Sequence, residues 1–236
     1  TMGDVKTEYH EHHHYPPVVR TWPVQVGQLP TLASAFQPRE GVREKIQDAR
    51  DQGTDVVLTQ HDARPAPTGT RVLAGGGGVG KSQLAAWFAH QALADRAADL
   101  VMWVTASSPE QIITAYARAA RRVGAPGADG ADPTADATVF CEWLHTTDRV
   151  WLIVLDDVTD PAHLARWWPP QRTAGWTLAT TRRQDAALAS AGRQRIDIGV
   201  YSPGESKTYL TDRLTDAGHA DLLDAAFWQA HKERIA

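Results

Sequence analysis

The run Gly75-Gly76-Gly77-Gly78-Val79-Gly80-Lys81-Ser82 constrains this chain more than any other stretch. It satisfies G-x-x-x-x-G-K-[ST] at every fixed position. Glycines let the backbone take positive φ and turn successive amides inward, with no Cβ to keep a phosphate away. Thr70-Arg71-Val72-Leu73-Ala74 in front is a candidate strand. Gln83 to His90 behind reads as a helix, with Leu84, Trp87, Phe88 and Gln91 on neighbouring turns. That order aims unpaired N–H groups and the positive end of a helix dipole at an anion. Lys81 adds a point charge for β- and γ-phosphates, and Ser82 a hydroxyl for Mg²⁺. Gly76, Gly77, Gly78, Val79, Gly80, Lys81, Ser82 and Gln83 are therefore the candidate phosphate-binding residues. A glycine hinge followed by an incidental Lys-Ser would leave the order of strand, loop and helix unexplained.

Composition narrows the surroundings of that loop. A chain of 236 residues with 42% hydrophobic content suits one α/β domain, or one domain with an appendage. The net charge of -4 and the lack of a dense basic run argue against a nucleic-acid footprint. Cys141 is the sole cysteine, so no internal disulfide forms, as expected of a reducing, cytoplasmic setting. No apolar run is long enough for a membrane span. His10, His12, His13 and His14 read as a polar tail that binds metal only adventitiously. Nine tryptophans are many for this length. Most are expected in the core, and the rest to mark a surface for a partner or a further domain.

Four segments follow from the punctuation. Residues 1–20 read as a flexible His-rich tail. Residues 21–60 are a lead-in with Trp22-Pro23 and Leu29-Pro30, a polar helix from Glu40 to Arg50, and Asp55 to Thr59, either a strand or an extended segment beside the sheet. Residues 61–201 are the main domain, opening with a Pro/Gly loop over 61–69. Residues 202–236 begin a helical appendage.

Within the main domain strands and helices alternate. Leu100 to Thr105 and Val150 to Leu155 are continuous apolar runs of strand length, and Trp176 to Thr180 and Arg195 to Ile198 are further strands. Ser108-Pro109-Glu110-Gln111 reads as a capping box for a helix bearing Ile112, Ile113, Tyr116, Ala120 and Val123, stopped by Gly124. Asp132-Pro133 caps a helix with Val139, Phe140, Trp143 and Leu144, with Cys141 near its packed side. Asp160-Pro161 opens a short helix with Leu164, Trp167 and Trp168. Ser202 to Glu205 is a second capping box, and a final helix is expected from about His219. Continuous apolar strands separated by helices indicate a parallel sheet covered on both faces. Ligands then sit at the carboxyl ends of the strands. The glycine loop, Asp156-Asp157 and Thr181-Arg182 all follow strands and would meet there.

The chemistry at that edge can be assigned. Asp156, after its apolar run, suits a carboxylate that holds Mg²⁺ through water. Asp157 is placed to orient or deprotonate an attacking water. Arg182 is placed to reach a γ-phosphate and stabilise transition-state charge. Lys81, Asp157 and Arg182 are the catalytic candidates, and Ser82 with Asp156 the metal pair. Arg183, Arg121 and Arg122 read as surface residues.

Together these motifs resemble the NB-ARC branch of the STAND P-loop NTPases. The likeness runs from about Trp22 to Leu214, through Gly76 to Ala85, Met102 to Thr105, Leu152 to Val158 and Ala179 to Arg182. The lead-in, with Trp22-Pro23, Val26 to Pro30 and Phe36 to Arg39, is similar to that of actinobacterial members carrying tetratricopeptide repeats. The resemblance implies a three-layer P-loop NTPase fold with a central five-stranded parallel sheet, in which the strand before Asp156 is not next to the phosphate-loop strand, and in which the helices after Ser202 start the first helical ARC subdomain. It implies an ATP/ADP-Mg²⁺ switch with slow hydrolysis, and nucleotide-dependent homo-oligomerisation. Arg182 matches the family's sensor arginine, and Phe36 and Arg39 its adenine-side segment. The chain departs from the pattern in having Gln37-Pro38 where Val-Gly is usual, and in lacking a later Gly-x-Pro motif. It is expected to be part of a longer regulator whose winged-helix and repeat domains follow. Three other readings compete: a P-loop small-molecule kinase, a GTPase-type switch, and a non-hydrolysing nucleotide-binding scaffold. The kinase would need a charged lid, for which residues 125–133 are too short, and the GTPase an Asn-Lys-x-Asp motif.

Overall fold

A computed structural model describes residues 21–60, 80–183, 185–189 and 192–223. The histidine tail, the 61–69 loop, the candidate strand Thr70 to Ala74 and Gly75 to Val79 lie outside the described residues. Eleven elements carry the architecture: β1 (Val24–Val26), α1 (Glu40–Asp51), β2 (Asp55–Gln60), α2 (Lys81–Ala94), β3 (Leu100–Thr105), α3 (Pro109–Val123), α4 (Pro133–Thr146), β4 (Trp151–Val158), β5 (Gly175–Thr181), β6 (Arg193–Ile198) and α5 (Pro203–Asp216).

The strands form one sheet in the order β1-β3-β4-β5-β2-β6, all paired in parallel. Their sequences explain it. In β4, Trp151, Ile153 and Leu155 pack on one side, and Leu152 and Val154 on the other, so both faces are buried. β3 divides the same way, Leu100, Met102 and Val104 against Val101 and Trp103. One face is covered by α3 and α4, through Ile112, Tyr116, Phe140 and Leu144. The other is covered by α1 and α2, through Ile46, Leu84, Phe88 and Ala89. This is the expected three-layer arrangement. Among the described residues the sheet has six strands rather than five, because the lead-in supplies both Val24–Val26, on the free edge of β3, and β2.

β2 is the informative strand. The sequence left it undecided between a strand and an extended segment beside the sheet. It lies inside the sheet, between β5 and β6, and Asp55 to Thr59 are all buried. Among the described residues it is the strand that precedes α2, and it is not a neighbour of β4.

Helix ends follow local chemistry with three differences. The box at Ser202 and Glu205 forms in full. At α3 only half of the box forms: Ser108 accepts from the Gln111 N–H, but the Gln111 side chain turns to Ser107 Oγ instead. The segment after Asp160 is a single 3₁₀ turn, Pro161–Leu164, and Trp167 and Trp168 fall just beyond it. After α5 the chain makes another 3₁₀ turn, Ala220–Leu223, where a longer helix was expected; residues past 223 lie outside the described part.

Candidate functional site

The carboxyl edge of the sheet gathers the residues the motifs singled out. α2 begins at Lys81 with Gly80 as its N-cap, at φ 84°, and no side chain caps it. A residue with a Cβ would be strained there, and glycine is not. The N–H groups of the first turn thus have neither an intrahelical partner nor a capping side chain, which is the arrangement that accepts an anion. Lys81 is 8% exposed. Burial lowers the pKa of its ammonium, and the Arg182 guanidinium nearby lowers it further, while Asp157 and Asp156 pull the other way.

Asp156 and Asp157 both belong to β4, which continues to Val158 rather than stopping before them. The ladder to β5 is irregular between Leu155 and Val158, and Asp157 takes φ 57° at that irregularity. Asp tolerates the left-handed region better than most residues. The twist separates the two neighbours: Asp156 turns toward α2 while Asp157 is half-exposed.

Ser82 Oγ donates to Asp156 Oδ1 at 2.7 Å, and Thr180 Oγ1 donates to the same oxygen at 2.6 Å. The Asp157 backbone N–H in turn donates to Thr180 Oγ1 at 3.0 Å. One threonine at the end of β5 therefore braces both acidic residues. The motifs assign Thr180 no role of its own. Its signal exists only in the folded chain, as a buried hydroxyl (2% exposed) beside a strand-end carboxylate. Arg182 Nε lies 3.9 Å from Asp157 Oδ1, and both side chains are substantially exposed. Arg183 donates to Thr159 O, 3.0 Å, and so is a loop brace. A cavity of about 370 Å³ is lined by Gly80, Lys81, Ser82, Gln83, Asp156, Asp157, Thr180, Thr181 and Arg182. Seven candidates, Gly80, Lys81, Ser82, Gln83, Asp156, Asp157 and Arg182, thus share one cavity.

Phe36 and Arg39 do not line it. Phe36 is half-buried against the α1/α2 side of the core. Arg39 is 8% exposed at φ 52°, and its guanidinium donates to Gly199 O (2.8 Å) and Val200 O (3.0 Å), stands 3.5 Å from Glu205 and lies over the Tyr201 ring. It fastens the lead-in to the junction of β6 and α5. The lead-in does reach the site, by a route the motifs did not show. Gln83, in the first turn of α2, accepts from Ala33 N at 2.7 Å and donates to Thr31 O at 3.2 Å. His90 Nε2 donates to Pro30 O at 2.9 Å. Among the described residues no cluster of three or more His, Cys, Asp or Glu forms a further metal site. No helix in that part is long and apolar enough to cross a membrane.

The family model of the NB-ARC domain matches residues 57–213, from inside β2 to inside α5. The chain belongs to the NB-ARC family. Among solved structures, the Aeropyrum pernix ORC2 protein (ADPNP-ADP complexes) is similar over 80% of this chain and 54% of its own, at 15% identity and TM-score 0.50. That likeness shows the shared P-loop NTPase fold. The Aeropyrum pernix ORC1 protein in complex with DNA aligns at 15% identity and TM-score 0.48, covering 78% of this chain and 51% of that one. A STAND protein with a tetratricopeptide repeat sensor from Pyrococcus horikoshii aligns at 16% identity and TM-score 0.45, covering 88% and 29%. The chain spans about half the length of the first of these structures. No curated protein matches it. An NB-ARC chain with this fold is a nucleotide-binding module.

Proposed function

We propose that this NB-ARC module binds ATP and ADP with Mg²⁺ at the carboxyl edge of its sheet, and that it serves as a slow-hydrolysing switch within a larger STAND-type protein. The observation that carries the reading is the Ser82–Asp156–Thr180 cluster beside the uncapped start of α2, with Lys81 buried against it.

The donor set fits the metal. A hydroxyl and a carboxylate 2.7 Å apart are hard oxygen ligands, and Mg²⁺ takes few protein ligands and fills its octahedron with phosphate oxygens and water. When bound it would neutralise charge on the β- and γ-phosphates. Thr180 holds the Asp156 carboxylate toward Ser82. Lys81 and the free N–H groups of α2 would take the phosphate oxygens, with Gly76, Gly77, Gly78 and Val79 as the further candidates by sequence. Asp157 orients the attacking water from its exposed position, and Arg182, loosely paired with it, swings to the γ-phosphate. A half-exposed aspartate is a modest base, which suits slow turnover. The adenine lies on the side where Gln83 ties the lead-in to α2, near Phe36; Arg39 secures that wall rather than facing the base. Winged-helix and repeat domains beyond the chain, and a nucleotide-dependent homo-oligomer in the cytoplasm, complete the reading.

Titration with fluorescently labelled ATP, ADP and GTP tests it. The expected result is saturable, Mg²⁺-sensitive binding of both adenine nucleotides and at least tenfold weaker binding of GTP. A preference for GTP contradicts the switch assignment, and binding of none contradicts the site.

A further inference from the structure

A second cavity opens at the amino edge of the sheet, the edge opposite the phosphate-side cavity. It is the larger of the two, about 580 Å³ against about 370 Å³, a size that holds a small organic ligand. Its walls come from α1, the C-terminal half of α2 and the first residues of β4 and β5. None of the residues assigned to nucleotide binding lines it.

Its chemistry is specific. Trp87 and Phe88 meet edge-on with ring centroids 5.0 Å apart, and Phe88 meets Trp176 in the same way at 5.7 Å. Arg43 and Arg50, two turns apart on one face of α1, each lay a guanidinium over an indole: Arg43 over Trp87 and Arg50 over Trp176, both at 5.6 Å. Among the described residues Arg50 has no carboxylate within ion-pair distance. The acidic residues of the lining, Glu44, Asp51 and Asp95, are exposed at the rim, whereas both arginines and Trp87 are half-buried and Phe88 and Trp176 are buried. The floor is made small by Ala92, Ala98 and Gly175; at Gly175 the Trp151 ring already occupies the space of a Cβ. The indole of Trp176, on the same face as α1 and α2, keeps its N–H shielded from solvent with no acceptor. The lining thus offers π-faces and two guanidinium groups, while its carboxylates stand at the rim.

We propose that this cavity binds a small planar aromatic monoanion, its ring against Trp87 and Trp176 and its acid group on Arg50. A guanidinium held on an indole is already oriented for a carboxylate, so little freedom is lost on pairing. The ring adds aromatic contact that an aliphatic acid cannot make. The rim carboxylates repel a second negative charge, which favours a monoanion over a dianion. The site would give this module a small-molecule input on the edge away from the nucleotide.

The test is calorimetric titration of the whole chain with 2-naphthoate. Saturable one-to-one binding is expected, at least tenfold tighter than that of cyclohexanecarboxylate or of neutral 2-naphthamide, and unchanged by saturating ADP. Arg50→Gln should weaken it at least tenfold. Ala97→Phe, at an exposed lining position that needs no refolding of the core, should block the cavity and abolish binding while nucleotide binding persists. The proposal is overturned by no saturable binding, by equal binding of the neutral amide, by retention of binding in both variants, or by competition with ADP.

Discussion

At the scale of single residues, Asp156 could be read from the sequence and Thr180 could not. An aspartate ending an apolar run is a strong local signal, because such a residue reaches the functional edge of a parallel sheet. A threonine at the end of a strand has an equally good reason to be there as a β-branched residue. Its two hydrogen bonds, to Asp156 and from Asp157, reach residues 24 and 23 positions away and exist only in the folded chain. Asp55 shows the same limit. It starts β2, is 3% exposed, and accepts from Trp168 Nε1 at 2.8 Å and from Thr177 N at 3.0 Å. Burial raises its pKa, and those two donors only partly counter the rise. A carboxyl whose pKa is raised on folding stabilises the protein when protonated and loses that contribution as the pH climbs through its folded value. Asp55→Asn offers one acceptor where two are needed and should cost about 1–3 kcal/mol at pH 7 by denaturant titration. The gap to the wild type should widen as the pH falls from 7 toward 4, since only the wild type gains. A gap that narrows on acidification would show that burial does not raise this group's pKa.

At the scale of elements, helices with local start signals were legible and the ordering of strands was not. Ser202, Asp132 and Ser108 cap the helices they were expected to cap, since a cap depends on residues two or three positions apart. The place of β2 between β5 and β6 depends on pairings more than a hundred residues distant, which no local pattern encodes. α5 differs from every other helix in having no buried residue. It is held to the lead-in by polar contacts: Gln37 to Asp212 at 2.8 Å, Arg213 to Ser34 at 3.0 Å, and Arg39 to Glu205 at 3.5 Å. Exposed charged contacts such as Arg213 to Ser34 are worth about 0–1 kcal/mol each and are screened by salt, whereas Arg39 is itself buried. Raising NaCl from about 0.05 to about 1 M should therefore speed amide exchange in α5 several-fold while leaving α2 unchanged, because α2 is anchored by apolar burial. Equal protection of both helices at high salt would show that apolar packing holds α5.

At the scale of the molecule, the three layers place Lys81, Ser82, Asp156 and Arg182 at one edge of the sheet and an aromatic, arginine-lined cavity at the other. The fold class was legible because its strands are apolar on both faces, a pattern few architectures share. The aromatic cavity was legible only as an excess of tryptophan, since what matters there is which arginine lies over which ring. The lead-in links the parts: Gln83 joins it to the phosphate side, and Arg39 and Gln37 join it to α5. The central claim is that Lys81 and the start of α2 hold the phosphates of an adenine nucleotide. The most direct measurement is the melting temperature with and without ATP and Mg²⁺, for the wild type and for Lys81→Ala. Nucleotide at about a hundred times its dissociation constant stabilises the folded state by about 2.7 kcal/mol, a shift of about 5–10 °C for a domain of this size. The account predicts that shift in the wild type and its loss in Lys81→Ala. A shift of the same size in both proteins would contradict it.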